Sequence, residues 1–206
     1  MKTYVVAALP VYKVEDVKLV EAVEADFVEL RLDYMGRLEV DLDFLERFKD
    51  KLILTIRDVR EGGVKEIQDE EKEAFLRELH RRGFLYDVEA SFLERRRVEY
   101  IGKIVSAHYF NSVPSVDELE KTYEKYKEAF VVKFAVVGRG NYKGVLASML
   151  KYDNVAVMPM GVPPLERIAF SILGSRLVYG YVKEPTAPGQ MHYKALLEIL
   201  KILRNY

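Results

Sequence analysis

Five short apolar runs in this chain each carry polar side chains of kinds that do chemistry. They are Glu29 and Arg31 in FVELRLDY (27–34), Arg57 in LILTIRD (52–58) with Glu61 just beyond it, Asp87 and Glu89 in FLYDVEA (84–90), His108 in KIVSAHYF (103–110), and Lys133 in FVVKFAVV (130–137). Lys133 is a lone cation among eight apolar residues in EAFVVKFAVVG. A lysine in such a setting must find a counter-charge, reach water or give up its proton. The last outcome leaves an amine able to attack a carbonyl carbon. A histidine nearby can move protons at the adjacent carbon, and arginines can hold an anionic substrate, a carboxylate or a phosphate. Together these residues predict Schiff-base chemistry of the lyase or aldolase type.

Each residue also has a purely structural reading. Lys133 set against Glu29 or Asp87 is a buried ion pair, His108 is a hydrogen-bonded core histidine, and Arg31 and Arg57 are salt-bridged inside the fold. Their joint occurrence on successive runs is what favours a site. His80 in RELHRRG and His192 in GQMHYK read as surface residues, and three histidines without HExxH-type spacing argue against a metal site. GRGNYKG (138–144) lacks the spacing of a dinucleotide or phosphate-binding fingerprint and reads as a loop.

To converge, these side chains need a scaffold. Further runs at YVVAALPV (4–11), NVAVMPM (154–160) and RLVYGYV (176–182) bring the candidate strands to eight. Helical periodicity shows between them, as in Leu19, Val20 and Val23, then Phe75, Leu76 and Leu79, and finally Leu196, Leu197, Leu200 and Leu203 on one face. This alternation predicts an α/β protein with a closed (β/α)8 barrel, read as a single catalytic domain over 1–206 with short loops. A doubly wound sheet alternates in the same way, but no GxGxxG follows the first strand. In a barrel the chemistry lies at the C-terminal ends of the strands, and strand alternation puts Glu29, Arg31 and Asp33 on a common face.

Composition narrows the function further. The 32 Lys and Arg against 33 Asp and Glu give a net charge of −1, so there is no electrostatic footprint for nucleic acid. ERRR (94–97) and HRR (80–82) read as solvated helix surface. The absence of cysteine removes disulfides, thiol catalysis, iron–sulfur clusters and Cys-ligated zinc. The N-terminus lacks the shape of a signal peptide, and no apolar segment approaches the ~20 residues of a membrane span. A soluble, cytoplasmic protein is expected.

At its polar positions the chain resembles the type I 3-dehydroquinate dehydratases of the shikimate pathway. ELRLDY (29–34) is similar to the family's E-x-R-x-D segment and TIRDVREGG (55–63) to its T-x-R-x(3)-E-G-G segment. DVE (87–89), SAHYF, KFA, MG…R (160–167), GS (174–175) and TAPGQ (186–190) follow in family order. The resemblance implies a (β/α)8 barrel that converts 3-dehydroquinate to 3-dehydroshikimate without metal or cofactor, and a homodimer. It also implies that Lys133 condenses with the C3 ketone, that His108 is general base and acid, and that Glu61 orients His108. By the same resemblance Glu29, Arg31 and Arg57 bind the substrate, Glu29 and Arg57 contacting ring hydroxyls. Arg167 holds the carboxylate, and Thr186 and Gln190 close over the substrate from a last loop expected to be mobile when empty.

The chain departs from the family pattern at Tyr109, at Val113-Pro114 and in MGVPPLER, which is one residue short. The shortening leaves Arg176 in Ser175-Arg176 as a second candidate for the carboxylate. Arg176 begins the eighth run, at the stabilising end of a barrel, whereas Arg167 follows the seventh and keeps the family distance to GS and TAPGQ, so Arg167 is preferred. A class I aldolase on the same scaffold, and a non-catalytic barrel serving as an interaction module, are the alternatives.

Overall fold

All eight apolar runs form strands, and all pair in parallel, in a computed structural model that describes residues 2–203. The strands are β1 (Tyr4–Pro10), β2 (Phe27–Arg31), β3 (Leu52–Thr55), β4 (Leu85–Glu89), β5 (Ile104–Tyr109), β6 (Val131–Val137), β7 (Val155–Met160) and β8 (Leu177–Tyr181). The ladder runs β7-β6-β5-β4-β3-β2-β1-β8. Its two ends meet where Arg176 N donates to Val155 O (2.8 Å) and Val157 N donates to Ser175 Oγ (3.0 Å). The result is the expected (β/α)8 barrel.

Helices α1 (Leu42–Glu46), α2 (Asp69–Arg81), α3 (Ala90–Arg95), α4 (Val116–Tyr126), α5 (Tyr142–Met149), α6 (Pro164–Ile172) and α7 (Tyr193–Leu203) cover the outside. Their starts follow local chemistry. Asp41 accepts from Phe44 N at the head of α1, Ser115 accepts from Glu118 N at the head of α4, and α6 begins at a proline. After β1 the connection is a 3₁₀ helix, Val14–Ala22, rather than an α-helix. Its valines recur every third residue, at 14, 17, 20 and 23, which matches three residues per turn and brings Val17, Val20 and Val23 inward while Leu19 is exposed. On α7, Leu196 and Leu200 pack with Val5, Ile168 and Val178. Leu203, expected on the same face, is 43% exposed because the last described turn lies beyond these partners.

Alternation along each strand sorts the side chains into two populations. Val28, Leu30, Leu54, Val88, Val105, Val132, Phe134 and Val136 face the helices. The other parity points into the barrel, where Tyr4, Phe27 and Phe130 pack edge to face and tilted across the N-terminal end beneath Val6, Ile53, Ile104, Val131 and Leu177. Toward the C-terminal end the same parity delivers Glu29, Thr55, Asp87, Glu89, Ser106 and Lys133, all buried.

Candidate active site

Lys133 points inward from β6, and its Nζ lies 2.5 Å from Asp87 Oδ2 and 4.8 Å from the centre of the Tyr179 ring. The apolar setting expected from the flanking sequence is thus corrected. Val132, Phe134 and Val136 give the segment its apolar character but face the helices, while Asp87, which meets Lys133 from β4, is charged. Asp87 is completely buried and also bonded to Arg57 Nη2 (2.8 Å) and Ser106 Oγ (2.6 Å). Burial alone would raise its pKa, but Arg57 and Lys133 outweigh that and hold the carboxyl far below the usual carboxylate range.

Arg57, just past β3, also donates through Nη1 to Glu89 Oε1 (3.0 Å) and Ser106 Oγ (2.7 Å). Burial works against its charge, and the carboxylates of Asp87 and Glu89 more than offset it, so its pKa stands above the usual value. The network continues through the barrel wall. Lys72 of α2 is 3% exposed and reaches Glu89 Oε2 at 2.5 Å. Lys72→Met is expected to lower stability by roughly 3 kcal/mol, because Glu89 would stay buried with one cation gone. Urea titration measures this, and an unchanged midpoint would mean that Arg57 alone suffices for Glu89.

His108 and Glu61 form a second unit. Glu61 ends a 3₁₀ turn, Val59–Glu61, after β3, and its Oε2 accepts from His108 N (3.1 Å) and meets His108 Nδ1 at 2.9 Å. Ser91 donates to its other oxygen. The two glycines that follow are required by this turn. Gly62 has φ of 86°, and a Cβ on Gly63 would lie 2.0 Å from Arg57 O. Burial, with Arg57 and Lys133 nearby, pushes the His108 imidazole well below its ordinary 6.5, and burial raises the Glu61 carboxyl. A neutral imidazole donating Nδ1–H to Glu61 leaves Nε2 as the free base.

The remaining candidates complete the rim. Glu29 accepts from Thr55 Oγ1 (2.9 Å). Arg31 lines the cavity, with its guanidinium paired twice to Asp33 (2.8 Å each) and directed at the carbonyls of Gly62 and Thr186 (3.4 Å each). Gln190 Oε1 accepts from Thr186 N (2.7 Å), Thr186 Oγ1 (3.2 Å) and Ala187 N (3.2 Å), so the loop after β8 is held by its own bonds. Arg167, on α6, donates to Pro159 O (3.1 Å) and Pro188 O (2.7 Å). Among the described residues no carboxylate pairs with it, and burial lowers its pKa to about 10, which leaves it charged at neutral pH. Arg176 lies at the other end of β8, donating to Lys2 O (3.1 Å) and stacking over Tyr4. Ser175 is likewise engaged in closing the barrel at that end.

One cavity is lined by Lys133, His108, Glu61, Glu29, Arg31, Arg57, Arg167, Thr186 and Gln190 together. Among the described residues no group of three or more His, Asp or Glu side chains is placed to hold a metal ion, and no helix is long and apolar enough to cross a membrane.

The model of the type I 3-dehydroquinase family matches residues 9–206. The chain belongs to the type I 3-dehydroquinase family. Relatives named 3-dehydroquinate dehydratase include one from Saccharolobus solfataricus, 45% identical, covering 100% of this chain and 96% of its own. Another, from Metallosphaera sedula, is 47% identical over 97% of each chain. A crystal structure of type I 3-dehydroquinate dehydratase from Clostridium difficile with covalent modified comenic acid superposes with a TM-score of 0.78 at 23% identity, over 99% of this chain and 93% of that one, and supports the fold.

Three residues in or bonded to this network were not singled out from sequence. Ser106 bridges Arg57 and Asp87. Lys72 occupies the buried stripe of α2 with Leu76 and Leu79, and a charge on an apolar stripe was the signal available. Tyr179 shares inward parity with Leu177 on β8, which the alternation of LVYGY could have shown.

Proposed function

We propose that this type I 3-dehydroquinase works as a hydro-lyase of the shikimate pathway, in aromatic amino acid biosynthesis, converting 3-dehydroquinate to 3-dehydroshikimate and water through an imine on Lys133. The observation that carries this reading is that Lys133, held by Asp87, and the His108–Glu61 pair line one cavity together with Arg167, which among the described residues has no carboxylate partner.

In this reading Lys133, an ammonium beside Asp87 at rest, releases one proton to water as its amine adds to C3 of the ketone, and the carbinolamine hydroxyl takes up one proton and leaves as water to give an iminium. Asp87 is too weakly basic to take a proton and serves as the fixed counter-charge of that iminium. The iminium acidifies C2, so the weakly basic, neutral His108 removes the proton through Nε2 and leaves an enamine. Glu61 stabilises the imidazolium. His108 returns the proton to the C1 hydroxyl as it departs as water. Hydrolysis of the conjugated imine, which takes up one water, releases 3-dehydroshikimate and restores Lys133.

Glu29 and Arg57 meet ring hydroxyls, and Arg31, fixed by Asp33, adds a stationary positive charge. Arg167 binds the carboxylate, whose arrival supplies the anion this buried guanidinium lacks. Thr186 and Gln190 line the loop above. A homodimer is part of the proposal, and exposed Leu165, Ile172 and Leu173 at α6 and its C-terminal end offer apolar surface for it.

Turnover of 3-dehydroquinate, followed by the enone absorbance of the product, tests the function. Absence of turnover would overturn it. Arg167→Met is expected to raise KM by ~30-fold or more with a smaller change in kcat, since the lost contact exists before and during the reaction. The same loss in Arg176→Met, with Arg167→Met unaffected, would transfer the role.

A further inference from the structure

Tyr179 lies on β8 at 5% exposure and lines the cavity, with its ring against the Lys133 ammonium group. Among the described residues its hydroxyl is the buried side-chain polar atom that has no hydrogen-bond partner in the protein. Interiors seldom leave such a group unmet, because its desolvation is not compensated. Phenylalanine would fill the same space without that cost, so packing alone does not account for the oxygen. Burial, and then the carboxylates of Glu29 and Asp87, keep the phenol protonated well beyond its ordinary range, so it is available as an O–H donor.

The register and the shared cavity indicate what lies beside the donor. On β1, the strand between β8 and β2, Val6 pairs with Tyr179 on one side and Phe27 on the other, while Ala8 pairs with Tyr181 and Glu29. The inward residue of β1 at the level of Glu29 is therefore only an alanine, and Glu29 and Tyr179 line the same cavity. One Glu29 oxygen accepts from Thr55. A carboxylate only accepts and the phenol donates, so a ligand hydroxyl lying between them can accept from Tyr179 and donate to Glu29.

We infer that Tyr179 is a substrate-contacting residue whose hydroxyl donates to the C4 hydroxyl of the bound ring, which in turn donates to Glu29. This rests on the dehydratase reading above. Lys133 engages C3, and His108, from β5, faces C2 on one side of it. C4 is the other neighbour of C3 and falls on the opposite side, toward β8 and β2.

The test is Tyr179→Phe, assayed with 3-dehydroquinate and with its 4-deoxy analogue. The expected result is a loss of ~10-fold or more in kcat/KM for 3-dehydroquinate, no loss for the 4-deoxy analogue, and a melting temperature unchanged or raised. Unchanged kinetics would overturn the inference by showing that a trapped water meets the hydroxyl. An equal loss on both compounds, or a loss accompanied by a lower melting temperature, would overturn it by showing a structural role. Wild-type protein inactive on 3-dehydroquinate would instead overturn the dehydratase reading itself.

Discussion

Lys133→Met is expected to reduce turnover by at least ~10⁴-fold, a large part of the rate enhancement typical of enzymes, while leaving the barrel folded. The argument has a chemical half and a structural half. Chemically, no other cavity side chain among the described residues supplies an amine, so the iminium that acidifies C2 cannot form. Structurally, Asp87 has Arg57 at 2.8 Å and Ser106 at 2.6 Å besides the lysine, and the unbranched methionine chain can follow the lysine stem beside the Tyr179 ring. Borohydride reduction in the presence of substrate should add the mass of the reduced adduct at Lys133 in the wild type and nowhere in the variant. An adduct on a different lysine, or a variant that still turns over, would sink the imine assignment.

His108→Ala is expected to cost ~10²–10⁴-fold in kcat, the range for loss of a positioned general acid–base, while imine still accumulates on Lys133. Glu61→Gln should be milder, because a hydrogen bond to Nδ1 survives and only the charge is lost. The pH dependence has a definite sign. His108 is shifted well below 6.5, so the reactive neutral form prevails at neutral pH, and kcat/KM falls only as pH drops through that lowered value. Between that value and 6.5 the unfolded chain binds the His108 proton and the native chain does not, so this residue makes stability rise with pH there. Asp87, whose folded pKa is depressed, adds stability that is present above 3.8 and lost as pH falls below it. An acid limb of kcat/KM centred above 6.5 would reject the neutral-base assignment, as would full activity of His108→Ala.

Much of this site could be read from spacing because barrel strands are short and alternate strictly. Once FVELRLDY and KIVSAHYF are strands, Glu29, Arg31 and His108 can only face inward or outward, and the helices claim the apolar parity. The same periodicity misleads at Lys133, since a run of apolar neighbours describes the wall behind a side chain and says nothing of what faces it across the barrel. Asp87 sits 46 residues away in sequence and becomes its partner only through closure. Lys72 shows in sequence only as a charge on the buried stripe of α2, since its partner, Glu89, is 17 residues away and meets it only through the fold. The 3₁₀ segment at Val14–Ala22 was open to reading, as its three-residue valine period is visible in the sequence. The bonds that hold Gln190 to its own loop were not, because they depend on the path the backbone takes between Pro185 and Gln190.

Asp87 also bears on the order in which the chain can assemble. It gathers Arg57 from beyond β3, Ser106 from β5 and Lys133 from β6 around one buried carboxylate. A nascent chain that has produced only β1 to β4 has Asp87 and Glu89 on hand with Arg57 and Lys72, but lacks the wall of β5 and β6 that encloses them. Such a fragment must leave these charges in water. Docking of β6 therefore completes the charge balance and the dry enclosure in the same event, so the groups that do the chemistry also discourage half-barrels from persisting as compact, stable species on the way to the native state.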